Sequence, residues 1–207
     1  MPNSCRTAIP TNPLSPWGQT YFAVQTREQE LSQELLSQMD EDQQRLFYRD
    51  ELARRNQRLA VTATGAGVIK SKERAIFQDN GYQGLYAGET EDAIHERKDL
   101  PEEEEISDWM VSEEMAANIF RASQADAKIR REGITTAEEA NAAHYQVGKN
   151  VRAAIIASGN TPPEQLPTPE RSIREVERDE RLRLEREAKE RRQPSLFALD
   201  KPAESEK

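Results

Sequence analysis

The sequence predicts a mainly α protein: a compact helical domain followed by a proline-rich strap, a charged solvent-exposed helix and a disordered tail. Three observations carry that expectation. Apolar residues recur at three- and four-residue spacing through most of residues 17–160, prolines gather at 1–16 and 161–169, and residues 170–192 are dominated by Arg and Glu. Of 207 residues only 35% are hydrophobic while 32% are charged, which bounds the core to a modest size and leaves a solvated remainder. Asp and Glu outnumber Lys and Arg by 38 to 29, for a formal charge of -9. Such a chain is repelled by a phosphate backbone unless it gathers a local basic patch, which argues against autonomous DNA binding.

Cys5 is the one cysteine, so an internal disulfide is excluded, and with two histidines there is no zinc-ligand spacing. No apolar run reaches the length of a membrane span, and residues 1–16 lack the hydrophobic middle of a signal peptide. A cytoplasmic location is expected.

The organising element is Ser112 to Gly133, SEEMAANIFRASQADAKIRREG. Ser112 offers an N-cap oxygen, Glu113 and Glu114 suit the positive N-terminal end, and Arg130, Arg131 and Gly133 suit the other. Met115, Ala116, Ile119, Phe120, Ser123 and Ala127 fall on one side at helical spacing and predict the buried face. Asp126 and Arg130 are placed to pair at the edge of that core.

In chain order, residues 1–16 hold four prolines and read as a flexible leader. A helix is predicted over Trp17 to Met39, with Tyr21, Val24, Leu31 and Leu35 among its apolar positions. Asp40 can cap the next, Glu41 to Ala60, where Arg54, Arg55 and Arg58 follow Asp50 and Glu51 by about a turn and read as a solvated face. VTATGAGV at 61–68 breaks the period and predicts a loop or brief strand; its Gly-Ala-Gly is too short for a phosphate loop. Ser71 opens a helical segment that runs into DNGYQGLYAG at 79–88, read as a tight turn with Tyr82 and Tyr86 pointing inward.

Thr90 caps a short helix that stops at Pro101, and its His95, Arg97 and Lys98 read as a surface cluster beside acidic residues. Trp109 and Met110 anchor the acidic run Glu102 to Glu105 to the core. Thr135 and Glu138 form a capping-box pattern for a helix that ends at Gly159, with Ala137, Ala140, His144, Val147, Val151 and Ile155 as its stripe. His144, mid-stripe with no second histidine or cysteine beside it, reads as a hydrogen-bonded core residue. TPPEQLPTP at 161–169 is the strap. In 170–192 the pairs Glu177 with Arg181, Glu185 with Lys189 and Glu187 with Arg191 favour a helix, while Ile173, Val176, Leu182 and Leu184 are too few for a heptad seam.

An ordered set of segments, GQTYFAVQTR at 18–27, FQDNGYQGLY at 77–86, AIHERK at 93–98, EEMAANIFRASQ at 113–124, ANAAHYQVGKNVR at 140–152 and PEQLPTP at 163–169, resembles the C-terminal region of the bacterial DNA-damage-inducible protein D family, DinD. The resemblance implies expression in the SOS response and association with the RecA recombinase filament as a modulator. Members carry a BRO-type domain ahead of this region, to which DNA binding is attributed, and here the leader at 1–16 stands in its place.

QPSLF at 193–197 looks like the pentapeptide by which bacterial replication and repair proteins bind the DNA polymerase sliding clamp. Leu196 and Phe197 would enter a hydrophobic pocket while Gln193 hydrogen-bonds nearby. These readings rank as a non-enzymatic interaction protein acting on the RecA filament or the clamp, then a DNA-binding or regulatory module working with a separate BRO-type domain, then an enzyme using His95 or His144. The second requires Arg54, Arg55, Arg58, Lys70, Lys72 and Arg74 to share a face. The third lacks any paired-acid, metal or nucleophile motif.

Overall fold

The helices of the body bury one face each, whereas the last helix is mostly exposed and supported by charge pairs one turn apart. In the computed structural model, which describes residue 36, residues 38–101 and residues 103–192, the helices are α1 (Glu41–Gly65), α2 (Ser71–Leu85), α3 (Glu91–Arg97), α4 (Ser112–Glu132), α5 (Ala137–Ala157) and α6 (Ile173–Arg192). Short 3-10 turns at Ile106–Trp109 and Pro163–Gln165 join them, and there is no strand among the described residues. The chain divides between Asp40 and Glu41, and these helices all belong to the second unit. The leader, the predicted helix over 17–39 except for its last residues, and the QPSLF peptide lie outside the described residues.

Two long helix pairs make the body: α1 lies along α4, α2 crosses α5, and α4 packs on α5 to join the pairs. The core between them is continuous, from Leu59 and Ala63 of α1 through Met115, Ala122 and Ile129 of α4 to Val147 and Val151 of α5. At the α2–α5 crossing the backbones touch. A Cβ on Gly84 would lie 2.2 Å from the Tyr145 carbonyl oxygen, and one on Gly148 would lie 2.8 Å from both the Gly81 oxygen and the Leu85 nitrogen. Glycine is required there by space, and the missing side chains are what let the helices approach this closely.

Four expectations are corrected. First, α1 does not break at 61 but continues to Gly65, because Ala63 is buried against α4 and the Thr62 hydroxyl donates to Asp126 at 2.6 Å; tertiary contact overrides the β-branched residues. Second, residues 79–85 are the last turns of α2 rather than a turn, since Gly81 and Gly84 serve the crossing; Tyr82 and Tyr86 do point inward, as expected. Third, the buried face of α4 is rotated toward Met115, Asn118, Arg121, Ala122, Ala125 and Ile129, leaving Phe120 50% exposed. The apolar stripe misled because the interior accepts Asn118 and Arg121 as hydrogen-bonded groups. Fourth, two caps shift. Val111 is the N-cap of α4, and Ser112, one residue inside, donates from its backbone and hydroxyl to Glu41 at 2.7 Å each. Thr136, not Thr135, caps α5, accepting from the Glu139 nitrogen.

Helix α6 is fastened at one end. Ile173 and Val176 are buried, and the buried Arg45 donates to the backbone oxygens of Met110, Asp108 and Arg171. Asp108, fully enclosed, is flanked by Arg49 at 3.2 Å and by Arg174 at 2.5 Å, the latter off the hydrogen-bond direction. Past Val176 the helix is mostly exposed, with Leu182 and Leu184 about half exposed and Leu184 bordering a hollow beside Leu46 of α1.

Candidate functional site

The interior holds a chain of polar contacts that runs from α2 to the segment after α3. His144 of α5 donates from Nδ1 to the Phe77 carbonyl at 2.9 Å, which fixes its tautomer and leaves Nε2 to accept from Arg121 Nη1 at 2.6 Å. Arg121 Nε donates to Asn118 Oδ1, and Asn118 Nδ2 donates to the Tyr86 hydroxyl at 2.8 Å. The Tyr86 hydroxyl donates to Glu114 at 2.9 Å, whose other oxygen takes Lys98 Nζ at 2.8 Å; Lys98 also donates to the Trp109 carbonyl.

Among the described residues the buried Arg121 has no carboxylate partner, and its guanidinium lies 5.0 Å from the Tyr82 ring centre, where the electron-rich π face attracts it. Burial draws the Arg121 pKa below its usual value. Burial first, and the Arg121 charge second, hold His144 well below the ordinary histidine value, so the ring is neutral. Burial raises the Tyr82 phenol to about 12 and pushes Tyr86 well up. Glu114 is raised by burial despite the opposing Lys98 ammonium.

These groups are consumed by one another, so the sequence-predicted core role of His144 holds. Its stripe on α5 is buried as expected at Ala140, Val147 and Val151. The proposed surface cluster at His95, Arg97 and Lys98 does not exist as such. The chain turns at Lys98, the C-cap of α3, sending that side chain inside to Glu114, while Arg97 pairs with Glu89 and His95 Nε2 meets the Glu104 carbonyl at 3.0 Å. His95 and His144 therefore lie in separate environments. Among the described residues no group of three His, Cys, Asp or Glu is placed to hold a metal ion, and no helix is long and apolar enough to cross a membrane.

On the outside, Arg54 and Arg55 of α1 both pair with Glu51, and Lys70 pairs with Glu73. The cations that a nucleic-acid patch would need are thus partly neutralised in place. The surface feature that sequence reasoning missed is a groove between α4, α5 and the strap, with an apolar hollow of about 280 Å³ that includes Phe120, Ile155 and Leu166. The misassigned face of α4 hid it. The partner-binding residues predicted from the sequence, Gln193, Leu196 and Phe197, lie outside the described residues.

Among the described residues, fold and interior together define an all-helical domain with a polar spine buried between two packed helix pairs. The chain belongs to the family of the DinD C-terminal domain, whose family model matches residues 39–176. It is 48% identical over 169 residues to the DNA damage-inducible protein D of Escherichia coli (strain K12), a match covering 81% of this chain and 62% of that protein. The chain thus spans less than two thirds of that relative's length. No solved structure matches.

Proposed function

We propose that this protein acts in the bacterial DNA-damage response without chemistry of its own, by holding recombination or replication machinery through protein contacts. The observation that carries the reading is the 48% identity to a protein named for its induction by DNA damage. Helix α6 supports the interaction role. It is anchored by Ile173, Val176 and the Arg45 contacts, then extends through exposed Arg and Glu residues toward Gln193. Its 20 residues give an arm about 30 Å long at about 1.5 Å per residue. The QPSLF peptide follows this arm directly in sequence, and its Leu196 and Phe197 would enter a clamp pocket while Gln193 bonds beside it. The helical body is then the surface for the RecA filament.

The test is fluorescence polarisation of a labelled peptide covering Arg191 to Lys207 with the sliding clamp of the same organism. The control changes Gln193, Leu196 and Phe197 to alanine, and co-sedimentation of the full chain with RecA filaments runs alongside. Micromolar clamp binding that the control loses, or retention on the filament, is expected; the absence of both would sink the reading.

A further inference from the structure

The outer stripe of α4 reads Glu113, Ala117, Phe120, Gln124, Lys128 and Arg131, at three- and four-residue spacing along one side of the helix. This stripe borders two hollows, each about 280 Å³, that run end to end between α4 and α5 and share Phe120. The apolar one lies toward the N-terminal end of α4 and the polar one toward its C-terminal end. Phe120 is 50% exposed, a large apolar side chain standing between two cavities that it does not fill.

The charges along this stripe have a direction. Glu113 at one end is exposed and has no ion partner among the described residues. At the other end Lys128 and Arg131 both lean on the single carboxylate of Glu132, at 2.7 and 3.5 Å, which leaves that end with a net positive charge. A helix face that is acidic at one end, aromatic in the middle and basic at the other is complementary to itself when reversed. That is the condition for a two-fold interface, in which one patch serves both subunits.

We infer that this face binds a second copy of the chain, with the two α4 helices antiparallel about an axis that passes between Phe120 and Gln124 on the exposed side. Glu113 of each copy then faces Arg131 of the other, the two Phe120 rings close the middle within about one turn of the axis, and the flanking α5 helices complete a four-helix layer. The apolar hollow beside Phe120 supplies the dry centre such an interface needs, with the charge pairs at its rim. Each pair occurs twice by symmetry, so a single charge reversal damages two contacts. The inference is independent of the clamp reading, because α6 and the tail take no part in it.

Sedimentation velocity of the full chain over a concentration series, up to on the order of 100 µM, tests it. The wild type is expected to dimerise, and Phe120→Glu to be monomeric with unchanged helix content and melting temperature by circular dichroism. Glu113→Arg and Arg131→Glu should each weaken the dimer about tenfold, and the two together should bring it back to within about threefold of wild type. A monomeric wild type would overturn the inference, whether because the groove holds another protein or the chain's own tail. So would a dimer indifferent to Phe120→Glu, or a double reversal as weak as its single parents.

Discussion

At the α2–α5 crossing two backbones touch through Gly84 and Gly148, and the polar side chains beside them, His144 and Arg121, bond to each other and to fixed acceptors. Along α6 beyond Val176, charged groups stand in solvent and pair one turn away, as Arg183 does with Glu180 and Arg191 with Glu187. Both regions are helical and both carry arginine, but in the first the polar groups are enclosed and bonded to buried partners, and in the second they are exposed. The difference separates the part of the molecule that determines the fold from the part left free to meet other molecules.

The largest effect is expected where the contrast is sharpest. Gly84→Val forces a side chain against the Tyr145 oxygen, 2.2 Å from where its Cβ would stand, and moving α5 away unseats His144 from Phe77 and Arg121. The cost should exceed the roughly 3 kcal/mol usual for overpacking and reach about 5 kcal/mol, enough to abolish a cooperative thermal transition in a protein of ordinary stability. Next comes the enclosed Lys98–Glu114 pair, in which both side chains are fully buried. Glu114→Ala strands the ammonium and the Tyr86 hydroxyl and should cost about 3–5 kcal/mol in urea unfolding. Lys98→Met should cost less, because the Glu114 carboxyl, already raised by burial, can take a proton and become neutral.

At the root of the arm, Ile173→Ala should cost about 2–4 kcal/mol, since that side chain is fully buried. Farther out, Leu184→Glu should change stability by less than about 0.5 kcal/mol, since Leu184 is 53% exposed. Equal costs at the two positions would mean that the arm is packed along its whole length.

A smaller effect comes from pH. His144 stays neutral when folded, so below the ordinary histidine value of 6.5 the unfolded chain takes up a proton that the folded chain refuses. As far as this residue is concerned, stability is level above that value. It falls as the pH drops below it, by up to about 1.4 kcal/mol per unit. Glu114 works the other way: its raised folded pKa adds stability as the pH falls through that value, which limits the loss at the acid end. Urea titrations between about pH 7.5 and about pH 5.5 should show the decline in the wild type and a flatter profile in His144→Asn.

Much of the fold is legible in the residues. Thr90 and Gly133 end their helices as their types imply: Thr90 accepts from the Ala93 nitrogen, and Gly133 takes the left-handed conformation at φ 61°. The stripe on α5 is visible because Ala140, Val147 and Val151 are apolar and the face they make is buried. What escapes reading is interior polarity. Arg45, Lys98, Glu114 and Arg121 are all buried, and single-residue hydropathy assigns each of them to the surface. Each enters the core only because a partner distant in sequence awaits it, as the Met110 carbonyl, 65 residues away, does for Arg45. The glycines of α2 misled for a related reason: a glycine that permits a turn and one that permits a helix crossing look alike until the crossing partner is known. The groove beside Phe120 became visible only once Asn118 and Arg121 had claimed the inner face of α4.

Hydrogen–deuterium exchange of the full native chain, resolved by peptide, tests the division between fixed core and free arm most directly. Amides in Gln83–Leu85 and Val147–Val151 should exchange only through global unfolding, while those in Arg178–Arg192 should exchange orders of magnitude faster, by local fraying. Equal protection in the two regions would contradict the account, because it would make α6 part of the core rather than an arm held at its root.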